Sequence, residues 1–285
     1  MSVGEKVATP DSVSVREAGV DPSPLTFLQL EITGRCDLHC VHCYADSGPD
    51  GPPDRVGRDR WLALLTEASE LGVKLVQFIG GEPTLHPDLP LFITAATDLG
   101  LRVELYTNLT HIRSKMWDLF CDRNVRLATS FYSIDAEAHD AVTKRRGSQA
   151  RTLANIRRAL QLGLRLRVTV VRIDDDQKVR ATAEHLRSLG VSDIGIDRSR
   201  AVGRAAHAPV DGDRAQELCG GCALPRLAID PDGWVYPCVL SRWLPVGNVS
   251  KASLAEIATS RNLDDTRKEL ARTFERRNAA AMVNG

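Results

Sequence analysis

Cys36, Cys40 and Cys43 fall within eight residues of the stretch EITGRCDLHCVHCYAD, and the next cysteine, Cys121, follows only after 77 intervening residues. Three thiolates this close can ligate a metal, and the missing fourth donor separates two chemistries. A structural zinc takes four protein ligands, which here would mean borrowing His39 or His42. A [4Fe–4S] cluster held by three thiolates keeps one iron open to an exogenous ligand, and the three-cysteine spacing fits it better. A second group, Cys219, Cys222 and Cys238, frames the stretch RLAIDPDGWVYPC. Six of the seven cysteines therefore sit in two tight groups, which speaks for metal or cluster ligation rather than a disulfide framework. Cys121, alone in KMWDLFCDRNV, is expected in the core of an apolar helix.

The rest of the chain narrows the setting. Its 37 basic residues cancel its 37 acidic ones, so the whole-chain charge carries no signature of a nucleic-acid or membrane partner. No window holds 18 consecutive apolar residues, and the N-terminal stretch has neither an apolar signal-peptide core nor a lipidation start. A cytoplasmic location is the simplest expectation. The length of 285 residues suffices for one large domain or a domain with an extension.

The elements that must hold the cysteines are legible as a β/α repeat. Residues 1–24, polar and carrying Pro10, Pro22 and Pro24, read as a loose lead-in. Alternation at Leu28, Leu30 and Ile32 predicts a strand, and Trp61, Leu64, Leu65 and Ala68 in RDRWLALLTEASELG predict a helix. Further strands are predicted in KLVQFIG, RVELYTN, RLATSFYS, LRLRVTVVRID and DIGIDRS, separated by stretches long enough for parallel crossovers. At least six such units point to an α/β fold, either a doubly wound sheet or a partial (β/α)6 TIM-like barrel, with ligands at the C-terminal strand ends. Texture changes near residue 203, where VGRAAHAPVDGD breaks the helical period. The expected organisation is a barrel over 25–202 and a cysteine-bearing hairpin with C-terminal helices over 203–285. Five basic residues from Arg267 to Arg277 are expected on a solvated helix face.

With these residues in view, the sequence resembles the radical S-adenosylmethionine superfamily, whose CxxxCxxC motif follows the first barrel strand. His42 stands where that family usually has an aromatic residue, and Tyr44 follows. The resemblance implies that Cys36, Cys40 and Cys43 hold a [4Fe–4S] cluster whose open iron chelates S-adenosylmethionine. Reduction then cleaves the cofactor to a 5′-deoxyadenosyl radical that takes hydrogen from a substrate. The segment Gly80, Gly81, Glu82, Pro83 matches the family's GGEP turn, which meets the methionine amino group. By the same match Ser130 contacts the ribose, Arg151 approaches the methionine carboxylate, and Tyr44 belongs with the cofactor-binding residues. Asn108 sits where the family often has Thr-Asn-Gly, with Leu109 replacing the glycine.

Within 203–285, the stretch CGGCALPRLAIDPDGWVYPCVLSRWLPVGNV resembles the first half of a SPASM domain, closer to the shortened twitch variety, which implies an auxiliary iron–sulfur cluster on Cys219, Cys222 and Cys238; a structural zinc is the alternative there. Such extensions are commonest in maturases of ribosomally made peptides, so a precursor peptide is the expected substrate. A sugar or aminocyclitol oxidised or epimerised by the same radical is the alternative, and a zinc-stabilised, non-enzymatic interaction protein is the third. The expected partners are a reductant such as flavodoxin or ferredoxin and a separate leader-recognition protein. No general base is singled out among Asp230, Asp232, Tyr236 and Glu104.

Overall fold

The computed structural model describes residues 25–174, 178–206 and 214–283; the lead-in expected over 1–24 lies outside these. Five βα units and a sixth strand are laid down in chain order: β1 (Phe27–Glu31), α1 (Arg58–Glu70), β2 (Leu75–Ile79), α2 (Leu89–Asp98), β3 (Arg102–Tyr106) and α3 (Ser114–Asp122) form the first three units. Then come β4 (Arg126–Phe131), α4 (Ala136–Thr143), α5 (Ser148–Gln161), β5 (Leu166–Arg172), α6 (Val179–Ser188) and β6 (Asp193–Arg198). The C-terminal part adds β7 (Arg226–Ile229), β8 (Trp234–Tyr236), β9 (Gly247–Asn248), α7 (Leu254–Ala258) and α8 (Arg261–Val283).

The strands form one sheet in the order β6-β5-β4-β3-β2-β1-β7-β8-β9, with β1 to β7 all parallel. A doubly wound sheet reverses its strand order at a switch point, and the run from β1 to β6 has no reversal. The chain therefore has the partial TIM-like barrel of the two architectures its periodicity allowed. The cysteine-bearing hairpin is part of the same sheet, because β7 pairs with β1 from Phe27↔Arg226 to Leu30↔Ile229.

The period-2 pattern divides the sheet into two faces. Leu28, Leu30, Val76, Phe78, Val103, Leu105, Leu127, Val168 and Val170 join a continuous apolar core with the helices. The other face is polar. Gln29 donates to Gln77 at 2.8 Å, Gln77 to Glu104, and Arg167 to Glu104 at 3.0 Å, a chain of side chains crossing from β1 to β5. Further along the strands this face carries Glu31, Tyr106, Ser130 and Thr169. A barrel lined this way is built to hold a polar occupant rather than to close on itself.

Two helical expectations shift. Cys121 is exposed, because Met116, Trp117 and Phe120 set the buried face of α3 and Cys121 lies one step around from it. In α8, Lys268, Arg272 and Arg276 are solvated, but Arg267 is buried and donates to the Ala223 carbonyl at 3.1 Å, and Arg277 donates to the Leu218 carbonyl at 2.8 Å. The helix thus lies over the loop that carries Cys219 and Cys222.

Phe78 is 1% exposed and stacks on Phe92 with ring centroids 6.3 Å apart, joining β2 to α2 directly behind the Gly80–Gly81 turn. Phe78→Ala is expected to destabilise the chain by about 3–5 kcal/mol in chemical denaturation.

Candidate functional site

The loop after β1 is closed on itself before any ligand enters. Arg35 bridges Gly48, Cys36 N donates to the Gly48 carbonyl at 2.9 Å, and Gly34 N donates to the Pro52 carbonyl at 3.0 Å. At its tip, His39 N and Val41 N donate to the Thr143 and Val142 carbonyls, the last carbonyls of α4, which would otherwise lack partners. Inside this frame the sulfurs themselves accept backbone hydrogen bonds, Cys36 Sγ from Leu38 N at 3.4 Å and Cys43 Sγ from Ser47 N at 3.3 Å. Burial raises the Cys36 thiol and pushes the Cys40 thiol up to about 12, with Glu82 and Asp37 adding to the rise at Cys36. Thiolates in this loop therefore require a cationic partner, which is what a metal cluster supplies. Among the described residues no three His, Cys, Asp or Glu side chains converge as a mononuclear site would require. A cluster distributes its thiolates over separate irons and asks for no such convergence.

The Gly80–Pro83 turn is seated on that loop. Gly81 N donates to Thr33 O and Glu82 N to Arg35 O, both at 2.7 Å. A Cβ on Gly80 would lie 2.3 Å from the Thr33 carbonyl and one on Gly81 2.2 Å from the Arg35 carbonyl, so only glycine admits this contact. Glu82 is 2% exposed and accepts four hydrogen bonds: Oε1 from Thr84 N at 3.0 Å, Thr84 Oγ1 at 2.6 Å and Thr107 Oγ1 at 2.7 Å, and Oε2 from Asn108 N at 2.7 Å. Burial raises its pKa against those bonds. Pro83 opens the short 3-10 turn that Glu82 caps.

Asn108 extends the network, donating to Asp37 Oδ1 at 2.7 Å and reaching Cys36 Sγ at 3.8 Å, while Thr110 Oγ1 donates to Asp37 Oδ2 at 2.7 Å. Leu109 takes φ +54 with its side chain fully buried, so a leucine bears the left-handed conformation at the position where the resemblance led one to look for glycine. Arg145 donates to the Asp37 carbonyl at 2.6 Å. Thr110 and Arg145 carry no motif of their own, and Asp37 lies within the cysteine motif without being a cysteine. What joins them to Asn108 is the meeting of the loop after β1 with the chain after β3, visible only once the sheet order is known.

Ser130 lies on the polar face of β4, with its Oγ 3.0 Å from the Tyr106 hydroxyl. Arg151 stands in the first turn of α5 and donates to the Arg146 carbonyl at 3.1 Å. The structure thus brings Gly80, Gly81 and Glu82 onto the cysteine loop, places Ser130 in the barrel interior, and leaves Arg151 at the start of α5, bonded back to the α4–α5 connection.

Tyr44 turns into a buried charged group that sequence reasoning left unassembled. Its hydroxyl is buried without a hydrogen-bond partner, and the Arg242 guanidinium lies 5.6 Å from its ring centroid. Arg242 also bonds Glu31 at the end of β1 and approaches Asp230 Oδ2 at 4.0 Å, while the Tyr236 hydroxyl donates to Asp230 Oδ2 at 3.1 Å. Burial outweighs the Arg242 attraction and moves Glu31 up to about 7. Of the four acid–base candidates, Asp230 and Tyr236 enter this group, Glu104 lies in the Gln77–Arg167 chain, and Asp232 pairs with Arg55 at 3.2 Å.

The second cysteine group lies at the other end of the hairpin. Register places the Asp230 turn beside Glu31, and Cys222 and Cys238 near the level of Phe27, roughly 13 Å of strand rise away. Cys222 Sγ and Cys238 Sγ are 3.1 Å apart, both buried, and Cys219 is exposed. Hydrogen bonds from Cys222 pull the Cys219 thiol down to about 5, with smaller contributions from Arg226 and Arg200, and also lower Cys238. As with the first group, the three thiols do not converge on one point, an arrangement that suits a cluster's separate irons better than a single ion.

The family model described as the radical SAM superfamily matches residues 30–186, and one described as an iron–sulfur cluster-binding domain matches residues 213–281. A PqqA peptide cyclase of Bradyrhizobium diazoefficiens is 32% identical over 149 residues, which is 52% of this chain and 39% of that protein. The chain thus spans about two fifths of that relative's length. A PqqA peptide cyclase of Gluconobacter oxydans is 26% identical over 277 residues, 83% of this chain and 77% of that protein. Among solved structures, Streptococcus suis SuiB bound to precursor peptide SuiA superposes with a TM-score of 0.69 at 16% identity, over 85% of this chain and 66% of that one.

Glu82→Gln keeps the shape of the side chain but leaves one of two backbone N–H groups, Thr84 or Asn108, without an acceptor. A loss of about 1–3 kcal/mol in denaturation is expected, together with weaker S-adenosylmethionine binding by titration. Glu31 gives a pH signature. Its pKa is raised on folding from 4.5 to about 7, so its contribution is fully present below pH 4.5 and is lost as pH rises to about 7. The expected loss is about 3 kcal/mol. Urea midpoints measured across that window should fall less steeply in Glu31→Gln.

Proposed function

The chain belongs to the radical SAM superfamily, and on that premise we propose that it is an enzyme that matures a ribosomally made precursor peptide. One arrangement carries the reading. Two three-thiol groups stand toward opposite ends of one sheet, and the polar face of that sheet lies between them. Cys36, Cys40 and Cys43 would hold the radical [4Fe–4S] cluster, and Cys219, Cys222 and Cys238 an auxiliary one. When bound, the radical cluster and S-adenosylmethionine together supply the 5′-deoxyadenosyl radical that abstracts a substrate hydrogen. Gly80, Gly81 and Glu82 shape the cofactor cradle against the cysteine loop, and Ser130 and Tyr106 face the same interior. Glu31, Arg242 and Asp230 present polar groups to the occupant of the barrel.

A peptide substrate is favoured by the relatives, which include two PqqA peptide cyclases. The polar face also suits a peptide backbone, whose amides need partners on both edges. No helix among the described residues is long and apolar enough to cross a membrane. A flavodoxin or ferredoxin as reductant and a separate leader-binding protein complete the proposed reaction.

The test is anaerobic incubation of the reconstituted chain with S-adenosylmethionine, a chemical reductant and the short peptides encoded beside its gene. The expected result is 5′-deoxyadenosine together with a mass or deuterium change in one peptide. Unchanged peptides alongside oxidation of a sugar or aminocyclitol would reject the peptide assignment. Replacing Cys219, Cys222 and Cys238 together by Ala should remove about four irons, leave uncoupled cofactor cleavage and abolish peptide turnover. One zinc in the purified wild type, with a single cluster, would reject the auxiliary assignment.

A further inference from the structure

The cysteine loop is held from outside by a segment that no motif marks. Beyond β6 the chain turns back through Val202, Gly203 and Arg204 and lies along the loop. Arg204 N donates to the Cys43 carbonyl at 2.9 Å. Its guanidinium then makes three further bonds to the same loop: Nη1 to the Cys40 carbonyl at 2.5 Å, Nη2 to the Ser47 carbonyl at 2.6 Å and Nε to Asp46 Oδ1 at 3.0 Å. The approach depends on Gly203, which sits at φ +61. A Cβ there would lie 2.3 Å from the Tyr44 carbonyl and 2.4 Å from that of Cys43.

This contact has an electrostatic side. Arg204 is 17% exposed in its pair with Asp46, whereas the Asp46 carboxylate is 72% exposed and screened by water. Two carboxylates stand at the Cys36 end of the loop: Asp37 follows Cys36 in the chain, and Glu82 is tied to the Arg35 carbonyl by its backbone N–H. Arg145 also reaches the loop, but it is 47% exposed and its charge faces Asp37 at 3.6 Å. Arg204 is therefore the most enclosed cation on the loop.

We propose that Arg204 is a positioning residue for the radical cluster: its fork fixes the carbonyls between Cys40 and Ser47, and its charge raises the cluster's reduction potential. The inference rests on the reading that Cys36, Cys40 and Cys43 hold a [4Fe–4S] cluster. Cluster potentials respond to nearby charge and to solvent exposure, and an enclosed guanidinium favours the more negative, reduced state. The arginine comes from the connection to the auxiliary cysteines, so the C-terminal region bears on the radical site through the backbone as well as through the sheet.

Redox titration followed by electron paramagnetic resonance separates the two contributions, using reconstituted Arg204→Gln and Arg204→Lys in a background where Cys219, Cys222 and Cys238 are Ala. Lysine keeps the charge but cannot serve three acceptors at once. Arg204→Gln is expected to bind less iron and to show a lower midpoint potential; Arg204→Lys should also bind less iron yet keep the potential near that of the parent. Equal potentials in the parent and Arg204→Gln would overturn the proposal. So would the complete absence of a reconstituted cluster from both variants, with no potential left to measure, which would reduce Arg204 to a folding contact. A parent chain that reconstitutes no [4Fe–4S] cluster at all would overturn the underlying reading, and the proposal with it.

Discussion

A single buried carboxylate organises the ligand end of the barrel. Glu82 accepts from the chain after β2 through Thr84 and from the chain after β3 through Thr107 and Asn108, while its own backbone N–H is spent on Arg35 beside the first cysteine. Three strand ends are thereby tied at one point. A charge this deep is tolerable only because every bond it accepts replaces one lost from water. That requirement explains why threonines stand at Thr84 and Thr107 and why Asn108 presents its backbone N–H, while the two glycines before Glu82 let the turn close on the Thr33 and Arg35 carbonyls.

The two halves of the chain are joined by the same economy of buried polar groups. The hairpin docks by extending the sheet at β1, and Arg242 brings its guanidinium to Glu31 across that junction. With Asp230, Tyr236 and Tyr44, this makes a small charged group where the first strand, the cysteine loop and the hairpin meet. Buried ion pairs contribute little net stability, but they define how two surfaces must fit. On the far side, Arg267 and Arg277 of α8 close over the second cysteine loop by binding its carbonyls. A run of basic residues on a helix reads as solvated because periodicity does not report which carbonyls lie beneath it.

Much of the fold was legible because its signals are local. Alternation marks the strands, a 3.6-residue period marks the helices, and the cysteine spacings need no partner to be recognised. The turn at Gly80 and Gly81 is equally local, since only glycine permits so close a backbone approach. Cys121 shows the limit of this reasoning. An apolar stretch identifies a helix, but which residue faces the core depends on how the helix is rotated against its neighbours, and Cys121 faces outward.

The sequence by itself determined the β/α repeat, both thiol groups and the glycine turn, because each rests on residue types at short, fixed spacings. Only the tertiary structure decided between a barrel and a doubly wound sheet, since strand order is set by packing and not by period. It also brought Asp37 to Asn108 across 71 residues, Arg204 to Cys40 across 164 and Arg242 to Glu31 across 211. Arginines and carboxylates are common on any surface. What distinguishes these is burial against one another, and burial is a property of the folded chain alone.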